Sequence, residues 1–298
     1  MMKNLQVQVE AVAPVSTSGR WALASLALPM LLSALGTSIA NVGLPTLVQA
    51  FDASFQAVQW VVLAYLLAVT TLVVSAGRLG DALGRRRLLL AGLGLFTVAS
   101  ALCGLAPTLG WLIAARALQG LGAAVMMALS LAFVGEMVPK AQTGRAMGLL
   151  GTMSAVGTAL GPSLGGVLIA AEGWPALFYV NVPLGMLALG LAYRHLPADR
   201  RIGATERGGL DPLGTMLLAL TLAAYALAMT LGRGHFGVLN GALLLAAMAG
   251  LAVFVRVEMN ATSPLIRPAM FRDATLSISL ATSALVATVM MATLVVGP

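Results

Sequence analysis

The chain has 298 residues, 59% of them hydrophobic and 9% charged, with a formal net charge of +7. A water-soluble domain carries about 25% charged residues, so this surface is built for lipid and the fold class is an all-α integral membrane protein. The positive charge does not point to nucleic acid. The basic residues stand in small groups between apolar runs, Lys3 and Lys140 are the two lysines, and no basic helix is interleaved with aromatics.

A helix needs about 20 apolar residues to cross a bilayer core of ~30 Å. Nine stretches approach that length: 21–41, 60–76, 88–106, 111–135, 146–171, 178–193, 212–231, 236–255 and 274–296. Backbone N–H and C=O groups in lipid must be paired within the span, so each is expected to be helical. The sixth is short and is expected to begin nearer Trp174. Residues 1–20 form a polar tail, and no small-residue cleavage site follows a short apolar core, so the first span is read as retained. With the N-terminus in the cytoplasm, fifteen of the 17 lysines and arginines fall on the inner side. Arg233 alone falls outside and Arg116 lies within the fourth span. The positive-inside rule then sets the topology of a multi-pass protein, and the cell (inner) membrane is its expected location.

In chain order, the first span carries LGTSIANVGLP (35–45). GRLGDALGRRR (77–87) joins the second and third spans. Its glycines permit a tight connection, Asp81 can cap or pair locally, and the arginines can pair with it or with helix C-terminal carbonyls; the plain reading is a positive-inside anchor. In the fourth span, LIAARALQGLGAA (112–124) holds Arg116, the one charge well inside a span. A central arginine costs at least ~2.5 kcal/mol on insertion scales. Gln119 and Gly120 share its face at i+3 and i+4. Two readings stand: a working charge facing protein or water, or an arginine held by backbone carbonyls near the interface that Trp111 marks. In the fifth span, GTALGPSLGG (157–166) spaces Gly157, Gly161 and Gly165 for close helix approach, beside Gly166. Pro162 removes a backbone donor and is expected to kink the helix.

Other chemistry is poorly provided for. Cys103 is the single cysteine, which rules out an intrachain disulfide and reads as a small buried residue. His195 and His235 sit in separate connections, and no metal-ligand spacing occurs. Neither HExxH nor GxxxxGK[ST] is present, so the chain is read as neither an enzyme nor directly driven by ATP. The sixteen methionines read as adaptable packing.

The 77–87, 112–124 and 157–166 segments resemble motifs A, B and C of the major facilitator superfamily, in order and at the right span ends. WPALFYVNVPLG (174–185) and PLIRPAMFRDATL (264–276) resemble its drug:proton antiporter branch with fourteen spans. The resemblance implies a six-helix N-terminal bundle at 21–195, a cytoplasmic loop at 196–211 and two extra helices at 212–256. Residues 257–298 would be an inner loop and the first helix of an incomplete C-terminal bundle, with about five helices to follow Pro298. It further implies a secondary transporter exporting drugs or other amphipathic small molecules against a proton gradient, by alternating access and without a cofactor. Arg116, Gln119 and Asp81 would relay protons, Gly77, Asp81, Gly84, Arg85 and Arg86 would form the gating loop, and Gly157, Gly161, Pro162, Gly165 and Gly166 would pack against the second half. Helix 1 departs from the branch: Gly36 stands where it has aspartate and Ser38 where it has threonine, while Asn41, Leu44 and Pro45 match. That departure removes one candidate site for protons or cations. By the same resemblance, Gly36, Ser38 and Asn41 are candidates to line a cavity. The competing expectation is a truncated remnant that does not transport, or a membrane partner that completes its cavity with another chain. Substrate identity and oligomeric state stay open.

Overall fold

A computed structural model describes residues 17–199, 212–231, 237–260 and 273–296. Most of the expected N-terminal tail, residues 200–211 of the central loop, Arg233, His235 and the 264–272 stretch lie outside the described residues. The helices run α1 (Thr17–Ala50), α2 (Phe55–Leu83), α3 (Arg85–Gly104), α4 (Leu109–Met137), α5 (Lys140–Glu172), α6 (Ala176–Tyr179), α7 (Asn181–His195), α8 (Pro212–Thr230), α9 (Val238–Asn260) and α10 (Ala274–Val296). Among the described residues, eight helical segments, with α6 and α7 counted as one, are long and apolar enough to cross a membrane. α10 adds a further apolar helix.

The ends follow local chemistry. Ser54 and Thr108 accept from the backbone N–H groups of Ala57 and Trp111, closing the starts of α2 and α4. α5 stops at Gly173, whose φ of 80° suits a residue without a Cβ. Pro162 lies inside α5 without ending it, as Pro29 and Pro45 do in α1. α9 continues past the expected end of its span to Asn260. Glu258 is buried on this extension.

The first seven helices pack into one bundle, in which α1 lies on α5 and α4 on both α2 and α3. Small residues let the backbones meet: a Cβ at Gly157 would run into the carbonyl oxygen of Leu31, and one at Gly120 would stand 2.5 Å from that of Tyr65. Two apolar clusters fill the interior. One, around Leu89, Phe96 and Phe133, lies at the end bearing the α2–α3 turn; the other, around Ile39, Leu47 and Val58, lies at the opposite end. α8 and α9 form a hairpin, closed where Asn240 Nδ2 donates to the carbonyls of Ala228 (2.8 Å) and Leu231 (2.6 Å). The hairpin attaches to α2 through the hydroxyls of Ser75 and Thr215, 2.7 Å apart. α10 is exposed along nearly all of its described side chains.

Candidate functional site

Two clusters of polar residues stand out, one inside the bundle and one at its rim. The inner one is built on α4. Its backbone comes close to α2 because Gly120 lacks a side chain, and this carries Arg116, one turn earlier, against the same helix. Arg116 is fully buried. Its Nε donates to the carbonyl of Val61 on α2 at 2.9 Å, and its Nη1 donates to Oε1 of Gln119. Gln119, also fully buried, turns towards α3, where its Nε2 donates to Ser100 Oγ at 2.6 Å. Ser100 in turn donates to the Phe96 carbonyl. The guanidinium carbon lies 4.2 Å from the ring centroid of Tyr65 and 5.8 Å from that of Phe178. These aromatics belong to different apolar clusters, so the charge sits at their junction. Every partner is neutral. The carbonyl bond matches one of the two readings of Arg116, but it lies in the interior rather than at an interface.

The outer cluster is the α2–α3 turn. Gly84, with φ of 100°, separates the two helices and offers no side chain to cap α3. Asp199, beyond the end of α7, supplies that cap: its carboxylate accepts from the backbone N–H of Arg86 (2.7 Å) and of Arg87 (3.1 Å). A Cβ at Gly84 would stand 2.6 Å from Asp199, so glycine is required for this closure as well as for its φ. Arg85 pairs with Asp81 at 2.8 Å and with Glu136 of α4 at 3.1 Å. Arg86 donates to the Tyr193 carbonyl and lies over the ring of the same residue. Asp81, Arg85, Glu136 and Asp199 line an open cavity of about 960 Å³.

The candidates named from sequence therefore divide. Arg116 and Gln119 meet directly, whereas Asp81 belongs to the turn and pairs with Arg85. Gly84, Arg85 and Arg86 meet there too, and a Cβ on Gly77 would touch nothing within 4 Å. The helix 1 candidates point three ways. Gly36 faces Tyr65 and Phe96, Ser38 donates to the Thr158 carbonyl on α5 at 2.6 Å, and Asn41 is exposed and donates to the Thr37 carbonyl. On α5, Gly157, Gly161 and Gly165 are buried against α1, while Pro162 and Gly166 are exposed. The glycine stripe is thus used within this bundle, and only the opposite face is available to another one.

Sequence reading passed over Tyr65, Ser100, Phe178 and Asp199. Tyr65 carries a signal, being a phenol in the middle of an apolar span. Asp199 carries none, since its partners lie 113 and 112 residues away.

A multi-pass helical bundle with an arginine network in its interior and a charged turn at its rim defines a polytopic membrane protein. The chain belongs to the Major Facilitator Superfamily, whose sequence profile matches residues 26–298. It is 36% identical over 247 residues to the multidrug resistance protein Stp of Mycobacterium tuberculosis, covering 82% of this chain and 45% of that protein. It is 35% identical over 198 residues to the riboflavin transporter RibZ of Clostridioides difficile, covering 66% and 43%. The fold resembles a solved bacterial homologue of the human lysosomal transporter Spinster, inward-facing and unoccupied. The TM-score is 0.56 at 17% identity, over 80% of this chain and 61% of that one. The chain spans about half the length of the curated relatives it matches.

Proposed function

We propose that this bundle forms one wall of a secondary active transporter that exports drugs or other amphipathic small molecules, coupled to protons and using no cofactor. The observation that carries the reading is the 36% identity to a multidrug resistance protein over 82% of the chain. The buried arginine supports it, because an ionised group deep in a membrane bundle is retained for work rather than stability. In this reading the N-terminus is cytoplasmic in the inner membrane, and the α2–α3 turn is part of the inner gate. Alternating access requires that proton and substrate favour different states of the same bundle, and Arg116 with Gln119 takes part in that coupling.

The test uses everted vesicles from cells expressing the chain, energised to an acidic interior and supplied with a lipophilic fluorescent dye. Accumulation abolished by a protonophore, and lost in Arg116→Ala, is expected. Accumulation that survives the protonophore would overturn the coupling, and equal uptake by Arg116→Ala and the parent would remove Arg116 from it.

A further inference from the structure

We propose that Arg116 is the binding site of a monovalent anion, which supplies a counter-charge that no ion pair among the described residues gives it. The guanidinium has five N–H donors. Nε and Nη1 are engaged by Val61 and Gln119, while Nη2 is buried without a hydrogen-bond partner. Neither ion pair at the α2–α3 turn involves Arg116. Val61 O, Gln119, Tyr65 and Phe178 solvate the charge without cancelling it. Charges in protein or lipid interiors are paired, since an unpaired one keeps its full desolvation cost.

Gly36 shows where the pairing group is missing. Tyr65 joins the two positions: Arg116 lies over its ring, and its hydroxyl donates to the Ser33 carbonyl at 2.8 Å, on the turn of α1 that carries Gly36. A Cβ on Gly36 would stand 3.7 Å from that hydroxyl and 3.5 Å from Phe96 Cζ, which is ordinary contact. Gly120 and Gly122 differ: a Cβ on either would strike backbone atoms, of Tyr65 at 2.5 Å or of Phe96 and Gly92 at 2.7 and 2.8 Å. Those two glycines are demanded by packing and Gly36 is not. A Cβ is in ordinary contact there, none is present, and neither ion pair at the turn compensates the cation beyond the ring. A single guanidinium among neutral groups selects one negative charge. That charge is either a halide or a carboxylate carried by the substrate; the second source rests on the transport reading and the first does not. The site is closed in this structure, so the anion exchanges when α1, α2 and α4 part.

The test is thermal unfolding of the intact purified chain in detergent, followed by tryptophan fluorescence. Sodium chloride, and in a second series sodium benzoate, replaces a bulky organic sulfonate at fixed ionic strength and pH. A saturable rise in Tm of roughly 2–5 °C is expected for the parent. It should vanish in Gly36→Asp, which provides an internal carboxylate, and in Arg116→Gln. Should Arg116→Gln fail to fold, Gly36→Asp carries the comparison. A response to chloride identifies an inorganic anion, and a response to benzoate alone identifies the carboxylate of a substrate. No saturable response to either anion, or an undiminished one in Gly36→Asp, overturns the proposal. A saturating Tm shift in a chain that moves no dye would leave the anion site standing and count against transport by this chain on its own.

Discussion

Arg85 and Arg116 carry the same group into different media. Arg85 has two carboxylate partners, yet its side chain is 30% exposed and those of Asp81 and Glu136 are 46% and 42% exposed. Water screens each pair, and such pairs contribute about 0–1 kcal/mol apiece. Arg116 has no carboxylate, but its neutral partners act where no water can replace them, and a hydrogen bond to a charged group there contributes about 1.5–3 kcal/mol. The number of charges gathered round an arginine therefore misranks the two sites. Hydration ranks them, with the inner cluster built of few, irreplaceable bonds and the turn of several interchangeable ones.

Three substitutions sharpen or break that contrast. The largest effect is expected for Gln119→Leu, which removes the acceptor of Arg116 Nη1 and leaves Ser100 without its side-chain partner. Chemical denaturation should show a loss of about 2–3 kcal/mol that does not change with salt. A loss below that of the turn variants would mean that the inner network is dispensable. Next comes Asp199→Ala, which uncaps α3 from a distance. The expected cost is about 1 kcal/mol, together with faster hydrogen exchange at the backbone amides of Arg86 and Arg87. Unchanged exchange at those amides would remove Asp199 from the capping role. The smallest effect belongs to Asp81→Asn. Arg85 keeps Glu136 and the carbonyl of Ala132, so under ~1 kcal/mol is expected, fading as salt is raised. A large and salt-independent loss there would erase the distinction between rim and interior.

The 77–87 turn was largely legible because it is local. Glycine, aspartate and arginine at short spacing announce a tight charged connection, and the Asp81–Arg85 pair follows from i,i+4 geometry. Arg116 was legible as an anomaly, since one charge in a long apolar span stands out by hydropathy alone. Its surroundings were not legible, because the rotation of α2 decides that Val61 and Tyr65 are presented to it. The glycines of α5 show the same limit. Spacing revealed a stripe made for close packing, but the stripe fits any small-residue groove, and only the assembled bundle shows that α1 fills it. α9 runs on beyond its expected span because Arg256 and Glu258 lower hydropathy without breaking a helix.

By itself the sequence determined the medium, the helices, their approximate ends and the residues that resist explanation as packing. These follow from composition and from periodicity over some twenty residues, which lipid enforces by leaving no other way to pair the backbone. Tertiary structure alone decided which residues meet: Ser38 with Thr158 across 120 positions, Asp199 with the start of α3 across 113, and Gly36 with the aromatic ring beneath Arg116. Such meetings depend on how each helix is rotated about its axis. That rotation is set by the mutual fit of side chains from several helices at once, and no local stretch of sequence encodes it.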